Sequence, residues 1–370
     1  MEKLGLYLHV PFCLKKCPYC DFYSILKLPD EREYLLALKK EIQTLVKFLQ
    51  EKFKLKRVKI ITFYAGGGTP SLLSSTFYGE LFSYLSKVLI FEPEELTIEV
   101  NPEGLTLKKI HEYRKAGFNR ISIGIQSLSK KGLKFLGRLH DVKTAFKVLE
   151  DGSKVFDNLS VDLIYNWLGQ GIKGLKKELK LLTSYPVKHV SLYELTPYPG
   201  TPFTKRWGEK QEKKNQRFGR ALFLTAHEFL ESKGFVHYEI SNYARPGYEC
   251  KHNLLYWEFK PYIGIGPSAV SRVKDLRFSN LKILEKLTPF DQAKEIVFMG
   301  LRLKKGFSLR RIERLLKKKI PLESLKLLQA NGLIHIKGER ITPTLEGFLR
   351  HNLVVKYLWQ IMEDVSVRGD

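Results

Sequence analysis

Three cysteines, Cys13, Cys17 and Cys20, fall within eight residues of one another in HVPFCLKKCPYCDF. Gaps of three and two residues give no sensible disulfide framework and leave a thiol unpaired, so the cluster points to metal ligation in a reducing, cytoplasmic compartment. Each iron of a 4Fe–4S cluster wants a thiolate or a substitute ligand, and three cysteines leave one iron open. An open iron can chelate the amino and carboxylate groups of S-adenosylmethionine (SAM); an electron from the reduced cluster then cleaves the sulfonium C–S bond and releases a 5′-deoxyadenosyl radical. A zinc site normally needs a fourth protein ligand. No histidine or cysteine follows at zinc-finger spacing, and His9 stands on the run before the loop, where a packed or hydrogen-bonded histidine is the default. A redox pair on Cys17 and Cys20 leaves Cys13 unexplained. Cys250, roughly 230 residues further on, reads as an ordinary buried thiol.

A cysteine loop needs elements to hold it. The first two-thirds of the chain alternates short β-branched or aromatic runs (4–10, 58–65, 96–100, 120–124, 159–164 and 187–194) with amphipathic stretches (30–49, 74–85, 106–116 and 142–154). Asp30 and Thr106 suit helix N-caps, and Gly117 stands where a left-handed C-terminal residue belongs. Six strand–helix units in series predict parallel strands with right-handed crossovers, satisfied by an open barrel or a doubly wound sheet. In both, chemistry gathers at the C-terminal ends of the strands, where the cysteine loop falls. A helix is predicted over 216–232. After it comes a stretch rich in tyrosine, proline and glycine (241–290), which reads as an ordered functional loop with an edge strand. From residue 291 the texture becomes helical (291–303, 309–316, 322–330), followed by a hairpin (333–337 and 340–342) and a last helix over 344–358, an order that suggests a winged helix. The division predicted is therefore 1–240, 241–290 and 291–370.

With 370 residues and 44% hydrophobic content, a large core can be buried. No stretch approaches the ~20 apolar residues of a bilayer-spanning helix, and the N-terminal run reads as a first strand rather than a signal peptide. The net charge of +24 is diffuse: residues 291–370 hold 16 Lys+Arg against 9 Asp+Glu, close to an even share. A Lys-rich solvated surface accounts for it; an anionic partner such as a porphyrin with several carboxylates, an acidic membrane or RNA is the alternative.

The cysteine spacing after a first strand resembles the radical SAM superfamily signature. Tyr7 with HVPFC resembles the branch containing oxygen-independent coproporphyrinogen III oxidase, as do AGGGTPSLL (65–73), IEVNPE, GIQSLSKKGLKFLGRLH and SVDLIY. The resemblance implies a partial (β/α)6 radical SAM barrel with a smaller, mainly helical, winged-helix-like C-terminal domain. It also implies that Gly67, Gly68, Thr69 and Glu99 contact the methionine end or ribose of SAM and that Arg138 pairs its carboxylate. Gln126 and Asp162 would meet the ribose hydroxyls, and Tyr7 and Tyr19 would flank the cofactor.

Two features set the chain apart from the oxidases: Phe22 stands where they carry a fourth cysteine, and no long arm precedes the cluster. YEISNYARPG–YECKHNLLYW resembles instead the sister branch, the radical SAM heme chaperones, whose mark is HNxxYW: His252, Asn253, Tyr256 and Trp257. By that resemblance His252 binds heme, as a neutral imidazole commonly does. Heme would be cargo passed to a client protein, with the cluster and SAM as required or regulatory elements. A homodimer and peripheral contact with an anionic membrane are compatible with this reading. The competing expectations are oxidative decarboxylation of coproporphyrinogen III and RNA modification, with nucleic acid the least favoured partner. The chain departs from the branch at Asn166, Trp167 and Leu168, where Gly-Leu-Pro is usual, and at Val270, where a histidine is usual.

Overall fold

The computed structural model describes residues 1–367, so the last three residues of the predicted 291–370 unit lie outside the described part. Six strands, β1 (Glu2–Val10), β2 (Val58–Gly67), β3 (Ile90–Val100), β4 (Arg120–Gln126), β5 (Asn158–Tyr165) and β6 (His189–Glu194), pair in chain order, every neighbouring pair parallel. The intervening helices are α1 (Glu31–Phe53), α2 (Ser75–Val88), α3 (Leu107–Ala116), α4 (Lys130–Phe135), α5 (Val142–Val155) and α6 (Ile172–Leu182); α7 (Pro202–Ser232) follows β6. Their apolar faces close one core with the strands, which includes Leu38, Ile42 and Leu45 of α1 and Leu4, Leu6 and Leu8 of β1. The expected end signals operate: the Asp30 and Thr106 side chains accept the Glu33 and Lys109 N–H groups, and Gly117 ends α3 at φ +115°.

Several elements differ from expectation. Helix α7 begins at Pro202, capped by the Thr201 hydroxyl, because its polar first turns carry little apolar periodicity to read. Helices α4 and α6 were not anticipated, although α6 buries Leu175, Leu179 and Leu182 on one face. The stretch 241–290 is built into the sheet rather than looped over it. The antiparallel strands β7 (Val236–Glu239) and β8 (Asn242–Ala244) extend the sheet beyond β6, and helix α8 (Lys251–Trp257) carries the HNxxYW motif. Strand β9 (Tyr262–Ile265) pairs parallel with β1, followed by β10 (Ser271–Val273), β11 (Leu276–Ser279) and β12 (Lys282–Lys286). The sheet is thus twelve strands long and open, with β12 at one edge and β7 at the other.

A second core holds the C-terminal helices α9 (Pro289–Gly300), α10 (Leu309–Leu316), α11 (Lys326–Ala330), α12 (Leu345–Leu349) and α13 (His351–Val367) around a small sheet. That sheet is β13 (Phe307–Ser308), β14 (Ile334–Lys337) and β15 (Arg340–Pro343) in the order β13-β15-β14, as a winged helix has. Helix α9 starts in a reciprocal Thr288–Asp291 capping box. Among the described residues no helix is long and apolar enough to cross a membrane.

The Asn166 departure has a local explanation. Its φ is +61°, in the left-handed region, where asparagine is the best tolerated residue after glycine. Its buried side-chain amide donates to Glu194 Oε1 (2.7 Å) and Asn215 Oδ1 (3.0 Å), while Lys214 Nζ donates to its oxygen (2.6 Å). The turn that usually begins with glycine is kept by a residue that also ties β5 to β6 and α7.

Candidate cluster and cofactor site

The cysteine loop leaves β1 and is pinned at its base: the Cys13 N–H donates to Ile25 O (3.0 Å) and the Ile25 N–H to Pro11 O (2.8 Å). Farther out, Phe203 N–H donates to Pro18 O (2.9 Å), joining the loop to α7. All three cysteines are partly exposed and line a cavity of about 620 Å³ at the C-terminal ends of the strands. Among the described residues no three His, Cys, Asp or Glu side chains converge on a point for one metal ion. His9 is closed to such a role: its Nε2 meets Tyr23 O (2.9 Å) and its Nδ1 the Tyr7 hydroxyl (3.1 Å).

Polar groups face the sulfurs. The Thr69 hydroxyl donates to Cys13 Sγ (3.6 Å) and Arg138 Nη1 to Cys17 Sγ (3.3 Å). Burial pushes the Cys13 and Cys20 thiols up, so their deprotonation would accompany metal binding. Gly67 and Gly68 prove necessary for a reason other than ligand access alone. Gly67 has φ +105°, and a Cβ there would lie 2.6 Å from the His9 ring; at Gly68 it would lie 2.7 Å from Phe12 O. The glycines let the end of β2 lie against the base of the cysteine loop.

Behind the cysteines the cavity is lined by Tyr19, Thr69, Glu99, Gln126, Arg138 and Asp162. Arg138 is held by Asn101 Oδ1 (2.7 Å) and Gly124 O (3.1 Å) accepting from Nη2, with Glu103 3.9 Å away. Glu103 also meets His140 Nδ1 (3.2 Å), whose Nε2 lies 3.1 Å from Ile125 O. Arg138 Nε is buried without an acceptor among the described residues. Gln126 sits past a register break in β4 at φ +66°, a strained position at a strand end inside a cavity. The Ser122 hydroxyl donates to Asp162, whose carboxyl burial pushes up.

Glu99 is deeply buried. Tyr64 OH donates to its Oε1 (2.7 Å) and Gly67 N–H to its Oε2 (3.3 Å), yet burial, and then the neighbouring Asp162, push its carboxyl up to about 7. The folded chain therefore holds this proton more tightly than the unfolded chain, whose value is 4.5. The resulting stabilisation is complete below about pH 4.5 and is lost as pH rises through about 7. Thermal unfolding of the cofactor-free chain should show Tm falling across that window relative to Glu99→Gln; equal slopes would show that Glu99 does not titrate there.

The structure does not bring every expected residue here. Tyr7 is three positions short of the end of β1, with its ring against His9 (6.0 Å between centroids) and Tyr64 (6.3 Å). It lines a second groove, not this cavity. The four residues of the motif divide: Asn253 lines the cofactor cavity, while Tyr256 and Trp257 line the groove. His252 is wholly buried between them. Its Nδ1 meets Thr62 Oγ1 (2.8 Å), its Nε2 meets Tyr256 OH (2.7 Å), and its ring stacks on Tyr64. Sequence reasoning missed Asn101, Glu103 and His140, although each lies within two or four residues of an expected site residue; their polarity beside a strand end was the available signal.

The model of the radical SAM superfamily matches residues 7–182 and that of the HemN C-terminal domain residues 287–350. The chain is 31% identical to the heme chaperone HemW of Lactococcus lactis, over 97% of this chain and 98% of that protein. To that of Bacillus subtilis it is 33% identical, over 94% and 97%. Among solved structures, coproporphyrinogen III oxidase (HemN) from Escherichia coli, a radical SAM enzyme, superposes with a TM-score of 0.77 at 21% identity, covering 98% of this chain and 90% of that one. That likeness establishes the fold: the partial barrel and the smaller helical domain.

Proposed function

The chain belongs to the HemW heme chaperone family of the radical SAM superfamily, and on that premise we propose that it binds heme and delivers it to an apoprotein. The observation that carries this reading is kinship along nearly the whole chain with the chaperones, where the oxidase shares the fold at much lower identity. Phe22 agrees with it: the position of the oxidases' fourth cysteine holds an aromatic ring that is 66% exposed.

Cys13, Cys17 and Cys20 would hold a 4Fe–4S cluster, and the unpartnered Arg138 Nε and buried Glu99 suit the carboxylate and amino group of SAM. When bound, this pair supplies one-electron reductive chemistry. The protein's part is to position and shield. Thr69 and Arg138 donate hydrogen bonds to sulfur, which spreads thiolate charge, and Asn101, Glu103 and His140 fix the Arg138 fork. An ammonium group facing Glu99 would draw its carboxyl back to the ionised form. Gln126 and Asp162 would meet the ribose hydroxyls, and Tyr19 would flank the cofactor. Tyr7 falls outside this set. His252 positions Tyr256 and thereby the motif helix. Leu14, Phe22, Leu26 and Leu28 are exposed on the cysteine loop beside Lys15, Lys16 and Lys27, a face suited to peripheral contact with an anionic membrane.

The reading is tested by titrating hemin into anaerobically reconstituted protein. A saturable Soret shift is expected, weakened in His252→Ala through loss of the Tyr256 contact. No binding above background, together with protoporphyrinogen formed from coproporphyrinogen III, would replace the chaperone with the oxidase.

A further inference from the structure

Beside the cofactor cavity, and sharing α8 as a wall, lies a groove of about 470 Å³. Its lining comes from separated parts of the chain, among them Phe22 and Tyr23 of the cysteine loop, Tyr256 and Trp257 of α8, and Met299 of α9. Tyr262 closes one side, packed edge-on against Tyr256 at 4.6 Å between centroids. The volume suits a small-molecule site, and the ring-rich lining suits a flat apolar ligand. Val270 contributes an aliphatic side chain at the position where the chain departs from the branch's usual histidine.

One residue in this groove is electrostatically out of place. Arg272 is 5% exposed, its guanidinium 3.7 Å from the Phe259 ring centroid. Nη2 donates to Lys260 O (2.6 Å) and Nη1 to Lys274 O (3.3 Å), and no carboxylate lies within ion-pair distance among the described residues. Its neighbour Arg277 shows the contrast: Glu285 and Glu295 each accept from it at 2.5 Å. A buried cation without a counter-ion is costly, and burial lowers the Arg272 guanidinium to about 10. The groove therefore holds an aromatic seat beside a buried arginine that has no direct ion pair; of the two carboxylates on its lining, Glu295 is taken by Arg277, and Asp21 makes no ion pair with Arg272. This is the complement of a flat macrocycle bearing carboxylates.

We propose that this groove seats the heme macrocycle and that Arg272 receives one of its propionate carboxylates. The assignment rests on the heme-chaperone reading and deepens it. With His9 and His252 both committed through their two ring nitrogens, retention comes from ring stacking and the carboxylate pair, a mode suited to cargo that must leave again. The exposed edge at Phe22 and Tyr23 leaves the way out open.

The test compares hemin with hemin dimethyl ester, the same macrocycle with its charges masked, on the full-length, cluster-loaded chain. Wild type should bind the ester about tenfold or more weakly than hemin, and Arg272→Gln should lose that discrimination, binding both at the ester's level. Met299→Trp, which fills the groove without touching the arginine, should weaken both. Equal wild-type affinity for hemin and ester overturns the carboxylate contact even if Arg272→Gln does not fold. Discrimination that survives in Arg272→Gln overturns Arg272 as the partner. Wild-type affinity retained in Met299→Trp places the macrocycle elsewhere. Wild type that binds no hemin fails the chaperone reading itself; hemin binding untouched by either variant fails the groove alone.

Discussion

A Cys17→Ala chain reconstituted anaerobically is expected to lose the brown ~400 nm absorbance of a 4Fe–4S cluster, because two thiolates hold a cluster only labilely. Iron and acid-labile sulfide should fall with it. The loss would report ligation rather than misfolding, since the loop is fastened by the backbone bonds of Cys13 and Ile25 and of Pro18 with Phe203, none of which needs the Cys17 sulfur. Arg138 would lose one acceptor but keep Asn101 and Gly124. Cys250→Ala is the internal control. That thiol is fully buried against Glu95, 3.6 Å from Oε1, and burial pushes it up to about 12, so its removal should leave the absorbance intact. A full cluster in Cys17→Ala would demand a different ligand set.

Glu95→Ala should be the most damaging substitution away from the cysteine loop. Glu95 lies in β3, almost wholly buried, and its carboxylate accepts the Lys251 N–H (3.0 Å) and the His252 N–H (3.0 Å) at the start of α8. A helix of seven residues has few bonds of its own, so this acid supplies acceptors for donors that would otherwise be orphaned. It is also among the groups whose negative charge opposes that of Arg120, a buried arginine of β4 whose Nε and Nη1 have no acceptor among the described residues. Removing the carboxylate strips two N–H groups and leaves Arg120 less balanced, at a cost of about 3–5 kcal/mol. For a chain of this length, with about 2 cal/mol/K of unfolding entropy per residue, Tm should fall by roughly 4–6 °C. Glu95→Gln, which keeps an oxygen acceptor, should lose less. Because α8 carries Tyr256 and Trp257, hemin affinity should fall together with Tm. A Glu95→Ala chain that melts like wild type would show that the helix is held by packing alone.

The Glu95 contact also marks where sequence reading stops. Residues 95 and 252 are 157 apart, and Thr62 and His252 are 190 apart, so no local pattern announces either bond. The HNxxYW motif was legible as a motif, but its Pro-, Gly- and Tyr-rich surroundings read as a loop, and the helix in it depends on an acid from a distant strand. His252 illustrates the cost: a histidine in a motif invites a ligand role, and only the fold reveals that both ring nitrogens are already engaged. Tyr7 was placed with the cofactor from its motif, yet its position within β1 turns it to the neighbouring groove.

The amino-acid sequence alone determined the position of the cysteine loop, the order and direction of the six barrel strands, and most of the named residues that line the cavity behind that loop. Ligands for one cluster can be contiguous, and the alternation of two-residue and 3.6-residue periods is written locally. The tertiary structure decided how the open sheet extends at both edges, how the motif divides between two cavities, and which groups hold Arg138, while leaving Arg272 without an ion-pair partner among the described residues. Those properties depend on which side chains meet across the fold, and burial sets their energies only once the chain has closed around them.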